Sequence, residues 1–217
     1  MEELTKKTII TIGREFCSGG ADIGHMVADH FAIPCYNKTI LDKTAKELHV
    51  EKELVEKYDE RSGGMWTNYT GYQYGYGWYT YDPALIQPLH DSIANTQFAA
   101  IRQFAEDGSC VIIGRCADYV LEDRDDLITI FIRADLEKRI ERAKRLYDLS
   151  TPEAKRLIRR TDKIRASYYE THTDRTWGAA GNFDLILDSG RLGLKGSADL
   201  IIETVKYFES HERIPFE

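Results

Sequence analysis

No two of the four cysteines (Cys17, Cys35, Cys110, Cys116) stand at CxxC spacing. That argues against a zinc site or a disulfide frame. Three of them fall in or beside apolar strand-like runs, so they read as reduced thiols. The six histidines show no metal-ligand spacing. A basic excess is also missing: the formal charge is −7 over 217 residues, which argues against a general nucleic-acid binder. No apolar run approaches the roughly 18–20 residues of a membrane span. The opening MEELTKK lacks the apolar core of a secretion signal. The expectation is a cytoplasmic protein with no nucleic-acid or membrane partner. Neither an internal repeat nor a flexible linker interrupts the chain, so 1–217 is expected to form a single domain.

Apolar residues make up 42% and charged residues 30%, an ordinary globular mixture. The charge is uneven. From Arg133 to Arg165 there are twelve Lys or Arg against six Asp or Glu. One basic segment in an acidic chain suits a small anionic ligand better than a long polyanion.

Strand-like and helix-like patterns alternate. Strands are expected at 8–13, 32–36, 109–114, 126–132 and 182–188. Helices are expected at 23–31, 39–60, 83–106, 135–149, from Ser150 to about Thr171, and at 198–208. Ser150-Thr151-Pro152-Glu153 has the form of a capping box with proline in the first turn. Apolar strands separated by helices imply a parallel α/β sheet.

The stretch TIITIGREFCSGGADIGHMVADHF (8–31) joins a β-branched run to a helix through a glycine-rich turn. Such a turn aims backbone N–H groups and a helix N-terminus at one point, a site for phosphate. Gly13, Gly19 and Gly20 supply backbone freedom and Ser18 a hydroxyl. The lysine of a phosphate-binding loop is absent. Counting from Gly20, Ala21 holds its place and Asp22 stands where Ser or Thr would ligate Mg²⁺. Arg14 is the nearest candidate to supply the missing charge. Asp22, with Ser18, is a candidate Mg²⁺ ligand; its plainer role is a carboxylate in a helix's first turn. A tight turn with no ligand is the alternative reading of the whole loop.

TIGREFCSGGADIG, IPCYNK, VIIGRCADYVL, IFIRADLEKRIERAKR, RRTDKIRASYYETHT, WG and NFDLILDS together resemble the cytidylate kinase-like family, a branch of the P-loop nucleoside monophosphate kinases. The resemblance implies a three-layer fold: a five-stranded parallel sheet with helices on both faces. It also implies a monophosphate-binding insertion at 38–107 and a lid at 148–178. ATP and Mg²⁺ are the implied cofactors. The chain departs from cytidylate kinases in two places. Ala21 replaces the loop lysine, and Asn37-Lys38-Thr39 replaces an Asp-Ser/Thr-Gly motif at the monophosphate site.

Gly114-Arg115 closes the third strand, where a guanidinium could fork onto an acceptor phosphate. Asp118 lies just beyond, and Lys38 follows the second strand. Arg156, Arg159, Arg160, Lys163 and Arg165 crowd one helix. As lid cations, Arg156, Arg160 and Lys163 would neutralise a phosphoryl group in transfer, and Asp162 would orient one of them. Each has a plainer reading as a solvated surface charge. From Trp66 to Tyr81 the chain holds six Tyr, two Trp and three Gly without a charge. A homodimer contact is the first reading of 66–81, a nucleobase platform the second.

The expected activity is ATP-dependent phosphoryl transfer to a small acceptor, with a pyrimidine nucleoside monophosphate such as CMP or dCMP in the lead. Arg14 and the loop, Gly13 and Ser18 through Asp22, would hold the donor. Lys38, Arg115, Asp118 and Arg165 would hold the acceptor. The alternatives are a non-catalytic nucleotide-binding protein and a kinase for an unrelated metabolite.

Overall fold

A computed structural model describes residues 4–58 and 83–211, with side chains placed for 4–55 and 91–211. The Tyr-rich segment 66–81 lies outside the described residues. The five strands are β1 (Ile9–Arg14), β2 (Cys35–Tyr36), β3 (Cys110–Ile113), β4 (Leu127–Arg133) and β5 (Leu185–Asp188). They form one sheet in the order β2-β3-β1-β4-β5, parallel at every pairing. The helices are α1 (Gly20–Phe31), α2 (Thr39–Leu48), α3 (Lys52–Tyr58), α4 (Pro83–Asp107), α5 (Ala117–Val120), α6 (Leu136–Tyr147), α7 (Thr151–His172) and α8 (Ser189–Ser210).

Alternation along β1 builds the two sides of the core. Ile10 and Ile12 point to one face, packing with Ile23, Val27 and Phe31 of α1 and Ile201 and Val205 of α8. Ile9 points to the other, with Ile112, Ile101 of α4 and Tyr168 and Tyr169 of α7. Ile9, Ile10 and Ile12 have no exposed surface. At about 1.5–3 kcal/mol for each buried side chain, they fix β1 as the central strand. The expected α/β fold with both faces covered is therefore present.

Several boundaries differ from the sequence expectation, α1 beginning at Gly20 rather than 23 and β5 at Leu185 rather than 182, and three more have a clear local cause. The helix expected over 39–60 is two, because His49 takes a left-handed turn (φ 54). Val50 N–H then bonds Ala45 O at 3.1 Å and its side chain packs on the Leu41–Ala45 cluster. This closes a helix without the glycine usually needed there. β2 is shorter than 32–36: Ala32 is the left-handed C-cap of α1, and Pro34 has no N–H to give, only a carbonyl that accepts from Val111 N–H at 2.9 Å. α8 begins at Ser189 rather than Ala198, with a break at Gly193 (φ 72). The capping box of α7 forms as expected, Ser150 N–H donating to Glu153 Oε2 at 2.9 Å.

The strand order places the site. β1 and β3 pair only as far as Ile12↔Ile113, whereas β1 and β4 continue to Arg14↔Ile132. β3 turns away at Gly114, leaving Gly13 and Arg14 beside a gap at the carboxyl edge. The connections leaving the neighbouring strands β1 and β3 run in opposite directions here, toward β2 and β4, which is where open α/β sheets bind ligands.

Candidate functional site

The loop from Glu15 to Gly19 is tied down on two sides. Glu15 Oε2 accepts from Ala134 N–H at 2.9 Å and lies 3.6 Å from Arg139 Nε. Burial pushes the Glu15 carboxyl above its ordinary value, and these partners oppose the shift. Phe16 N–H donates to Asp162 Oδ1 at 2.7 Å, and Arg139 Nη1 reaches both Phe16 O (3.3 Å) and Asp162 Oδ2 (2.5 Å). The Ser189 hydroxyl lies 2.5 Å from Ser18 O and 3.0 Å from Arg133 O. Asp162 thus orients Arg139 of α6, not the lid cation expected from its place in the sequence.

Two glycines let α1 begin here. Gly19 sits at φ 82, and a Cβ on Gly20 would stand 2.6 Å from Arg14 Cβ. Side-chain-free Gly20 therefore brings the N-terminus of α1 hard against Arg14. Together they line a cleft of ≈ 130 Å³ with Ala21, Asp22, Asn37, Arg142, Tyr147 and Arg165. Cys17 lines it too, with its thiol pushed by burial up to about 11, so it stays protonated at neutral pH.

A second, smaller pocket of ≈ 20 Å³ adjoins on the β3 side. Gly114, Arg115 and Cys116 all adopt positive φ (75, 56 and 55), which folds the chain back beneath Gly13 and Arg14. Arg115 is almost wholly buried, its Nη1 donating to Ile113 O at 3.2 Å. α7 contributes Arg165, Tyr168 and Tyr169 from one face, as i, i+3, i+4 spacing requires. Arg165 Nη1 donates to Arg14 O at 3.0 Å, and its guanidinium lies 5.7 Å from the Phe16 ring centre. Trp177 and Phe183 complete the wall, each packed on Phe131. Three buried guanidiniums (Arg14, Arg115, Arg165) and one carboxylate (Asp118) line this pocket.

Tyr169 Oη donates to Asp118 Oδ2 at 2.7 Å. Burial raises the Asp118 carboxyl, with the Tyr169 hydroxyl opposing it, and raises the Tyr169 phenol as well. A raised carboxyl means that the folded state holds this proton more tightly than the unfolded state. Its contribution is therefore full below the unfolded value and is lost as pH rises through the folded one. Asp118→Asn keeps an acceptor for Tyr169 and removes the charge. It is expected to lose less stability than wild type between pH 4 and pH 8. Tyr169→Phe strips the donor from a buried carboxylate and is expected to cost about 1–3 kcal/mol. Urea melts across that range check both, and an Asp118→Asn protein that falls faster with pH than wild type would reverse the sign.

The structure thus gathers Gly13, Arg14, Gly19, Gly20, Ala21, Asp22, Arg115, Asp118 and Arg165 around two adjoining hollows. Ser18 is buried, its hydroxyl donating to Glu15 O at 2.9 Å. Asp22 Oδ2 accepts from Arg142 Nη2 at 2.7 Å. Arg156, Lys163 and Lys38 are exposed and Arg160 half-buried, and none of these lines either hollow. Arg139, Arg142, Tyr168 and Tyr169 were not singled out from the sequence. The spacing of Asp162, Arg165 and Tyr169 could have shown one inward face of α7; Arg139 and Arg142 look like any basic helix surface. Among the described residues no group of three or more His, Cys, Asp or Glu is placed to hold a metal.

The model of the cytidylate kinase-like family matches residues 9–191. A search of curated proteins finds no match. Among solved structures, an uncharacterized protein from Eubacterium ventriosum ATCC 27560 aligns at 26% identity and TM-score 0.68, covering 92% of this chain and 99% of its own. Shikimate kinase from Bacteroides thetaiotaomicron aligns at 13% identity and TM-score 0.54, over 93% of this chain and 99% of that one. Shikimate kinase from Acinetobacter baumannii, in complex with shikimate, aligns at 10% identity and TM-score 0.51, over 97% of each. These likenesses agree with the sheet order in giving a P-loop kinase fold. Since the match begins at the first strand and runs past the last, the chain belongs to the cytidylate kinase-like family.

Proposed function

We propose that the protein transfers the γ-phosphoryl group of ATP to a small anionic acceptor, with a pyrimidine nucleoside monophosphate such as CMP or dCMP as the first candidate. The observation that carries this reading is that Arg14 and Arg165 line both hollows. A donor phosphate on the α1 N-terminus and an acceptor phosphate beside Arg115 would meet across these two guanidiniums. Phosphoryl transfer asks mainly for positioning and charge neutralisation, and buried guanidiniums supply both. A phosphate acceptor is already nucleophilic. A hydroxyl acceptor would instead need Asp118 or Asp22 as base.

The loop fits a polyphosphate, because the N-terminus of α1, which Gly20 packs against Arg14, borders a cleft also lined by Arg142 and Arg165. Bound there, ATP would supply the group transferred. Mg²⁺ fits less well. Ser18 Oγ is turned onto Glu15 O and Asp22 is paired with Arg142, so the ion would rest mainly on phosphate and water oxygens. In this reading 38–107 is the acceptor-side insertion and 148–178 the lid. Arg156, Arg160 and Lys163 would need a shift of α7 to reach the transferring group, whereas Arg165 needs none.

Ala21 in the lysine position favours a second reading, nucleotide binding without turnover. A coupled ADP-release assay with ATP, Mg²⁺ and CMP, dCMP and UMP separates the two. Acceptor-dependent release is expected. Calorimetric ATP binding with no release for any acceptor would support the non-catalytic reading, and no ATP binding would end both.

A further inference from the structure

The first turn of α1 carries no cation of its own. Arg142, one turn after Arg139 on α6, occupies the space above it. Its Nη2 donates to Asp22 Oδ2 at 2.7 Å, and a Cβ built on Gly19 would lie 3.8 Å from its Cζ. It lines the loop cleft and also a neighbouring hollow of ≈ 220 Å³ between α6 and the start of α8. Building on the phosphotransferase reading, we propose that Arg142 is the phosphate-contacting cation that replaces the absent lysine. Asp22 holds that guanidinium over the loop until nucleotide phosphates displace the carboxylate.

The pair has the properties such an exchange needs. Arg142 is mostly buried, with 17% of its side chain exposed, while Asp22 has 54% exposed. The cation is therefore held in place while the carboxylate is free to swing into solvent. An ion pair with one wet partner is weak enough to give way to a more highly charged anion. Arg139 fixes the base of α6 to the loop through Phe16 O and Asp162, so the Arg142 stem starts from a set distance. A guanidinium has the fork to contact two phosphate oxygens, which a lysine does not. Arg14 then serves a different place, between donor and acceptor, because it lines both hollows while Arg142 lines only the donor side. The sign for Asp22 follows: as a competitor of phosphate its removal tightens binding, whereas as a Mg²⁺ ligand its removal weakens it.

The test is calorimetric titration of the full chain with ATP and with inorganic tripolyphosphate, each with and without Mg²⁺. Arg142→Ala is expected to weaken both ligands about tenfold or more, the loss of a charge-assisted hydrogen bond. Arg142→Met, which keeps the stem, is expected to match it, and Arg142→Lys to recover part of the loss. Asp22→Asn is expected to tighten tripolyphosphate binding without Mg²⁺ by about threefold, the scale of a solvent-screened ion pair. Arg142→Met binding within twofold of wild type would overturn the proposal while leaving the phosphotransferase reading intact. Weaker binding by Asp22→Asn only when Mg²⁺ is present would make Asp22 a metal ligand and overturn its holding role. A wild-type protein that binds neither ligand would remove the reading beneath the proposal as well.

Discussion

Arg165→Ala is expected to lower kcat by about 10³-fold, with a much smaller change in the KM for ATP. Arg165 is buried and borders both the loop cleft and the Arg115 pocket. A cation placed between donor and acceptor interacts most strongly when charge is shared between them, so its removal weighs on kcat rather than on binding. The same side chain also donates to Arg14 O and lies over Phe16, so alanine would loosen the loop as well. Arg165→Lys separates the two effects. A lysine could keep one bond to the Arg14 carbonyl and the contact with Phe16, but it loses the planar fork. It is expected to melt within a few degrees of wild type and still turn over about 10²-fold more slowly. Steady-state kinetics beside thermal melts would check this, and an Arg165→Lys enzyme of near wild-type kcat would reduce Arg165 to a structural role.

How the site was legible in the sequence follows from which interactions are local. The glycine turn, Arg14 and Gly114-Arg115 each sit at the end of a recognisable apolar strand. A parallel sheet carries all strand ends to one edge, so strand pattern alone brings these residues together. The cations on α6 and α7 were harder. A helix offers every basic residue a place, and only packing decides which one turns inward. Ala154 and Ile158 seat α7 against Ala143 of α6, with Phe16 and Cys17 of the loop beside them. That contact puts Asp162, Arg165 and Tyr169 inside and leaves Arg156 and Lys163 in solvent. Of the expected lid cations, Arg156 and Lys163 are exposed and Arg160 half-buried, and none lines either hollow. The role of Arg142 could not be read locally at all, since its partner Asp22 is 120 residues away in sequence. The early start of α8 was hidden for a related reason. Ser189 is held by its bond to Ser18 O in the loop, and the break at Gly193 separates that first turn from the apolar face on which Leu194, Ala198 and Ile201 meet the core.

Arg115 offers the other large effect, on the acceptor rather than on transfer. It is 1% exposed and sits at φ 56, inside a run of three left-handed residues. Two of the three, Arg115 and Cys116, are not glycine, and each such residue costs roughly 1–2 kcal/mol. A fold keeps that strain only where surrounding contacts over-determine it. Here the turn carries β3 beneath Gly13 and leaves a guanidinium facing the small pocket with Arg14 and Arg165. Arg115→Ala would combine a lost cation with a cavity, at about 2–4 kcal/mol by analogy with other large-to-small changes. Arg115→Met is the better probe, because it fills most of the volume without the charge. It is expected to fold, to leave the KM for ATP within about threefold, and to raise the acceptor KM by about 10²-fold, the value of a charge-assisted hydrogen bond of roughly 2.7 kcal/mol. If Arg115→Met raises both constants equally, the arginine organises the edge of the sheet without touching the acceptor. If it raises neither, the small pocket is not where the acceptor phosphate binds.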